Sequence, residues 1–299
     1  MIDLLDIRYV RLGTRDLGAA DRFARDVVGL QGVREEQGAR YYRSDSRDHT
    51  LVYFEGDPAD HTVGFELRHA DALDAAAAQL SDAGIVVHPG SAVQCEQRRV
   101  AAFVNFRDPT GNSIDLVVRP QHSGTRYFAA RDAGITGFSH IGLCSTDAPR
   151  DEHFWTSLLS ARVSDRIGDA ALLRIDEVHH KIALFPATRS GVQHVNHQVA
   201  SFDDVMRAWY QLKRMGVRVV FGPGRHPTSG AIFLYFEGPD GMTFEYSTGV
   251  RSIAPQEEAN YKPRQFPRAN ESFCMWGSAP DLAEFKRYGT GPEPAQATG

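Results

Sequence analysis

Cysteine is scarce in this chain of 299 residues: Cys95, Cys144 and Cys274 are its three, widely spaced and without a Cys-x-x-Cys pair. That argues against a disulfide framework and a thiolate zinc site, and it fits a reducing compartment, so the expected location is cytoplasmic. Long apolar runs are missing too. None approaches the roughly 20 residues that a membrane span needs, and no membrane partner is expected. The opening stretch from Met1 to Arg8 has no basic segment leading into a longer apolar run, so no signal peptide is indicated. Nor is there a surplus of positive charge. With a net charge of −5 and scattered Lys and Arg, the chain is not expected to bind nucleic acid. What remains is an ordinary globular composition, long enough for one large or two ordinary domains with buried cores.

The chain repeats itself. Tyr9-Val10-Arg11-Leu12-Gly13-Thr14-Arg15-Asp16 runs into a helical pattern from Leu17 to Val28, and His140-Ile141-Gly142-Leu143-Cys144-Ser145-Thr146-Asp147 runs into another from Ala148 to Leu159. The offset of 131 residues that pairs Asp16 with Asp147 also pairs Phe23 with Phe154. A second pair of strand patterns, Thr62 to Leu67 and His194 to Val199, precedes helices near 71–83 and 202–215. Both of these units close on tight turns, Asp108-Pro109-Thr110-Gly111 and Pro239-Asp240-Gly241, followed by alternating strand residues. Each unit therefore reads as strand, helix and three strands. Four such units predict an α+β protein in which βαβββ modules pair into two open barrels with the helices outside, because one small curved sheet cannot bury its apolar face alone. The predicted boundaries are 1–120 for the first domain, 136–250 for the second and 251–299 for a Pro-rich, polar tail with frayed last residues.

Three polar residues interrupt the apolar strands of the second half. His140 lies in Gly137-Phe138-Ser139-His140-Ile141, His194 in Val192-Gln193-His194-Val195, and Glu245 in Thr243-Phe244-Glu245-Tyr246. His140 alone reads better as a satisfied core histidine. At repeat-equivalent strand positions, however, two imidazoles and one carboxylate form the ligand set that leaves open positions on a divalent iron. The offsets place Tyr9 opposite His140 and Thr62 opposite His194, leaving only Asp115 opposite Glu245. The first domain is therefore expected to bind no metal.

With these motifs the chain resembles the vicinal oxygen chelate superfamily, and its second half resembles the type I extradiol ring-cleavage dioxygenases, relatives of 2,3-dihydroxybiphenyl 1,2-dioxygenase. The resemblance runs from about Ile7 to Thr248. It implies His140, His194 and Glu245 as metal ligands, Fe(II) as the metal with Mn(II) also suited to the set, and O2 as co-substrate. Val178-His179-His180-Lys181 resembles the strand bearing the family's acid/base histidine, which implies a catalytic role for His180. Gly224-Arg225-His226-Pro227 and Phe233-Leu234-Tyr235-Phe236 resemble the segments whose His226 and Tyr235 bind substrate and assist catalysis. Where biphenyl-type members carry an Asn-Asp pair, this chain has Thr228-Ser229, so these two are expected to contact the substrate and to change the ring or substituent it accepts.

The implied reaction is cleavage of a substituted catechol beside its hydroxyls to give a semialdehyde, and a homo-oligomer is expected from the family's habit. Two other readings use the same fold: a glyoxalase-like isomerase or thiol transferase, and a non-catalytic small-molecule binder of the bleomycin-resistance kind. The first leaves His180, His226 and Tyr235 without a purpose, and the second lacks a metal triad. Adjacent residues of a strand face opposite ways, which predicts His179 as structural; His197 is expected to pack behind His194. Arg225 and Lys181 are solvated by default but lie near enough in sequence to meet a substrate carboxylate.

Overall fold

The computed structural model describes residues 1–286. The first half runs β1 (Leu4–Thr14), α1 (Leu17–Arg22), β2 (Gln31–Glu36), β3 (Ala39–Arg43), β4 (Leu51–Glu55), then β5 (His61–Leu67), α2 (Leu73–Asp82), β6 (Val87–Pro89), α3 (Ala92–Arg98), β7 (Ala102–Arg107) and β8 (Ser113–Val118). The second half repeats the order with β9 (Ile135–Ser145), α4 (Ala148–Ser157), β10 (Arg162–Ile167), β11 (Ala170–Arg174), β12 (Ile182–Pro186), then β13 (Val192–Val199), α5 (Phe202–Arg214), β14 (Val219–Arg225), β15 (Ile232–Glu237) and β16 (Thr243–Thr248). These are the four expected βαβββ modules. The sheet orders, β2-β3-β4-β1-β5-β8-β7-β6 and β14-β15-β16-β13-β9-β12-β11-β10, join modules two by two through their first strands, which pair antiparallel. In each sheet the two outermost strands do not bond to each other, so both barrels are open.

The repeated Asp is a helix cap. Asp16 accepts from the Ala19 amide at 2.8 Å and Asp147 from the Arg150 amide at 3.2 Å, each satisfying an orphan donor at a helix start. The pattern from Leu17 to Val28 is α-helical only to Arg22, then winds as a π-helical stretch over Phe23–Val28 and stops at Gly29, whose φ of 87° favours glycine. The extra helix α3 has no counterpart in the other modules; Ser91 and Gln94 close a capping box at its start.

The helices are not simply outside. Phe23 packs on Phe236 and Phe244 of the second half at 6.1 and 5.2 Å, while Phe154 packs on Phe106 and Trp155 on Phe65 of the first half at 6.1 and 5.4 Å. One apolar core thus runs through both halves, with the helical segments after β1 and β9 lying between them.

Nor is the segment after Thr248 a detached tail. A short strand, β17 (Arg264–Phe266), pairs parallel with β10, and Phe273, Leu282 and Phe285 join the apolar cluster inside the second barrel. The Pro-rich end, Gly291 to Ala295, lies outside the described residues.

Trp155→Ala removes a fully buried indole from the shared core and is expected to cost about 3–5 kcal/mol. Urea unfolding followed by fluorescence and circular dichroism should show one transition moved to lower denaturant. Two separated transitions would contradict a common core.

Candidate metal centre and active site

His140, His194 and Glu245 sit on three neighbouring strands. In the β9–β13 and β13–β16 ladders Asn196 is opposite both His140 and Glu245, while His194 is opposite Gly142. That register brings His140 Nε2 to 2.9 Å from His194 Nε2 and 3.0 Å from Glu245 Oε2, with His194 Nε2 3.4 Å from the same oxygen. A Cβ on residue 142 would lie 2.4 Å from His194 Nδ1, so only glycine leaves room for this ring. His194 Nδ1–H donates to Gln193 Oε1, which turns the Nε2 lone pair into the cluster.

The residues fit a divalent metal. All three side chains are at most 2% exposed, and Glu245 Oε2 accepts no hydrogen bond although it lies against two imidazole nitrogens. Ligand bonds of roughly 2.1 Å meeting at right angles separate donors by about 3 Å, which matches the spacing here. Burial opposes ionisation of Glu245, but the imidazoles of His140, His226 and His194 around it outweigh that cost, and the carboxyl lies well below its ordinary range. Burial pushes His194 down to about 3, leaving a neutral imidazole free to donate its lone pair. Among the described residues this is the one group of three such side chains close enough to share an ion.

The remaining sequence candidates surround the cluster. Tyr235 on β15 is opposite Glu245 on β16, the physical basis of their ten-residue spacing in a hairpin. His226 follows β14; its Nδ1–H donates to the Phe273 carbonyl at 2.7 Å, and its Nε2 lies 3.3 Å from the Tyr235 hydroxyl. His180, His194, His226, Tyr235, Thr228 and Ser229 line one cavity. Its other walls are Ile167, Leu172, Ala183, Phe185, Phe273 and Phe285, with no Lys, Arg, Asp or Glu.

Sequence reasoning placed His179 and His180 on a strand with opposed side chains. They lie instead in the loop before β12, and the two rings meet, Nδ1 to Nδ1, at 3.0 Å. Leaving the strand frees them from its alternation. The tail's part in the cavity was also missed, since its sequence carries no periodicity that signals it. Neither cation considered for a substrate carboxylate reaches the cavity: Lys181 donates to Asp6 at 3.0 Å and pairs with Asp176, and Arg225 donates to the Gly230 carbonyl at 2.9 Å. His197 packs on Phe138 and Phe244, and neither ring nitrogen has a hydrogen-bond partner.

At the equivalent place in the first barrel the Asp115 carboxylate receives bonds from Tyr9 Oη at 2.8 Å, Arg98 Nε at 2.6 Å and Asn105 Nδ2 at 2.9 Å. Arg98 comes from the extra helix α3, so in this barrel the carboxylate is satisfied by protein donors.

The sequence matches the Glyoxalase/Bleomycin resistance protein/Dioxygenase superfamily over residues 6–116 and 137–246, the two pairs of modules. The chain belongs to this superfamily. It is 26% identical to an iron-dependent extradiol dioxygenase of Rhodococcus jostii (strain RHA1), covering 92% of this chain and 97% of that one. A biphenyl-2,3-diol 1,2-dioxygenase of Sphingomonas paucimobilis is also 26% identical, over 91% and 97%. Among solved structures, the Mn(II)-bound glyoxalase from Novosphingobium aromaticivorans superposes with a TM-score of 0.83 at 24% identity, covering 99% of this chain and 97% of that one. Such a likeness shows the fold alone, which hosts more than one chemistry.

Two outcomes follow for the metal-free and metal-loaded protein. His194→Ala and Glu245→Gln should each weaken divalent-metal binding at least about a hundredfold in calorimetric titration, while Tyr9→Phe leaves the bound stoichiometry unchanged. Acid should also destabilise the metal-free fold. Burial pushes both His49 and His197 down to about 4, whereas in the unfolded chain they titrate near the ordinary 6.5. The unfolded state therefore takes up protons first as pH falls, and stability is lost between about pH 6.5 and 4, by up to about 3 kcal/mol for each ring. Urea midpoints across this range test it, and His197→Phe should flatten the dependence.

Proposed function

We propose that this protein is a metal-dependent extradiol dioxygenase that opens a catechol ring beside its two hydroxyls, using O2 and a divalent iron held by His140, His194 and Glu245. The observation that carries the reading is the gathering of His180, His226 and Tyr235 around that donor set in one apolar-walled cavity. A glyoxalase-like isomerase needs the ligands but not these three. When bound there, a redox-active iron supplies the means by which triplet oxygen and a singlet catechol can react.

The protein's own groups handle protons and orientation. As the set's single carboxylate, Glu245 would leave net positive charge on a divalent ion held there, which would favour a deprotonated catechol oxygen. Tyr235, completely buried beside Glu245, is held well above its ordinary pKa first by that burial and then by the carboxylate's charge, so it stays protonated and can donate to a substrate oxygen. His226 keeps its Nδ1 proton on the Phe273 carbonyl and presents Nε2 toward Tyr235 and the cavity. His180 is the base on the remaining side, suited by residue type to taking and returning one proton. The apolar walls exclude water and accept an uncharged ring substituent. With no cation lining the cavity, a buried substrate carboxylate would go unpaired.

The test is anaerobic loading with Fe(II) followed by oxygenated assay against substituted catechols, read by the absorbance of the ring-opened product and by O2 consumption. Alkyl- or aryl-substituted catechols should give a kcat/KM at least about tenfold above carboxylated ones, and His180→Ala should lower kcat by about 10²–10⁴. Iron-loaded protein that consumes no O2 with any catechol would overturn the proposal, and turnover of a hemithioacetal would replace it with the isomerase reading.

A further inference from the structure

Behind His180 lies a buried chain of polar groups that the ring-opening reading does not use. Asp165, on β10, is fully buried, and His179 Nε2 lies 2.9 Å from its Oδ2. The same carboxylate accepts from Arg264 through Nη2 at 2.6 Å, Nε at 3.1 Å and the backbone amide at 3.0 Å, and from Arg251 Nη2 at 3.3 Å. His179 Nδ1 in turn lies 3.0 Å from His180 Nδ1, and the His180 ring borders the cavity with its centroid 4.2 Å from that of His140.

The hydrogens in this chain can be assigned by elimination. Burial tends to protonate Asp165, but His179 and Arg264 outweigh it and hold the carboxyl below its ordinary range, so Asp165 only accepts. The proton between Asp165 and His179 therefore sits on His179 Nε2. Burial keeps His179 neutral despite the adjacent carboxylate, so its Nδ1 is a bare lone pair. Two facing Nδ1 atoms bond only if one of them carries hydrogen, and it must be that of His180. The remaining nitrogen of His180, Nε2, is then unprotonated.

We propose that Asp165 and His179 are positioning residues that hold His180 as its Nδ1–H tautomer, so that a bare Nε2 meets the bound diol as a base. The inference rests on the ring-opening reading for the identity of the diol. The substrate hydroxyl breaks its O–H bond and Nε2 gains the proton; the imidazolium so formed keeps donating Nδ1–H to His179, whose own Nε2–H leans on the Asp165 carboxylate. The proton returns from Nε2 to the product, and no oxidant or reductant enters the step. The arrangement follows the logic of a buried carboxylate that fixes the tautomer of a catalytic histidine. It also gives the C-terminal segment a chemical task, since Arg264 on β17 anchors the Asp165 end.

The test reads tautomers directly. Long-range proton–nitrogen correlation spectra of the ¹⁵N-labelled, metal-free full chain at neutral pH should show His180 protonated at Nδ1 and bare at Nε2, and His179 protonated at Nε2. Asp165→Asn can donate to His179 Nε2 and should move the His180 proton to Nε2 in a large fraction of molecules. His179→Phe leaves Asp165 on its arginines and removes the acceptor for His180, so it should have the same effect should Asp165→Asn fold poorly. Both variants should lower kcat about 10–100-fold with KM within twofold, and His179→Gln, whose Oε1 can still accept, should recover part of the loss. A wild-type His180 protonated at Nε2, or a tautomer unmoved in His179→Phe, would overturn the relay. These spectra need no turnover, so an inactive wild-type enzyme would count against the ring-opening reading alone.

Discussion

The antiparallel pairing of β9 with β13 is the constraint on which the chemistry depends. Two strands that open successive modules lie side by side at the middle of the sheet, and their register sets His140 and His194 on one face at a separation a metal can bridge. The parallel neighbour β16 then needs only a carboxylate at the level of Asn196, and Glu245 supplies it. Such precision comes from ladder hydrogen bonds on both sides of β13, which a loop could not provide. The demand for space is visible as well. Opposite His194 the partner strand gives up its side chain at Gly142; in the first barrel Gly64, opposite Tyr9, does the same, and a Cβ there would lie 2.5 Å from the phenol ring.

Much of this was legible because the fold is written in repeats. The capping aspartates Asp16 and Asp147 and the turn at Pro239-Asp240-Gly241 act within a few residues of themselves, so their meaning survives without tertiary context. The cluster of His140, His194 and Glu245 was readable because a histidine or glutamate inside an apolar strand is costly unless something compensates it. What escaped depends on contacts between distant segments. His179 looked like a strand residue because Val178 and Ile182 to Leu184 flank it with strand-forming side chains, yet the ladder begins only at Ile182. Helix α3 sits in one module alone, so a comparison between modules carries no sign of it.

The C-terminal segment shows the same limit most clearly. Its sequence is polar and rich in Pro, with no periodicity to announce a role, and read alone it is a tail. In three dimensions it reaches the site from two directions. Arg264 ties Asp165 and the Thr228 carbonyl, and Phe273 offers His226 a carbonyl and the cavity a ring. A segment outside the repeat is free to vary without disturbing the barrel. Cavity walls built from it can change while His140, His194 and Glu245 stay where the strands put them.

The exchange of aromatic side chains between the two halves makes each depend on the other. Once Phe23 is seated in the second half and Phe154 and Trp155 in the first, neither half presents a closed surface by itself. Two repeated halves that interlock in this way cannot part without exposing the apolar side chains that each lends the other. The first barrel, with Tyr9 and Thr62 where the second has His140 and His194, conceals apolar surface of its neighbour and is held to it by that burial.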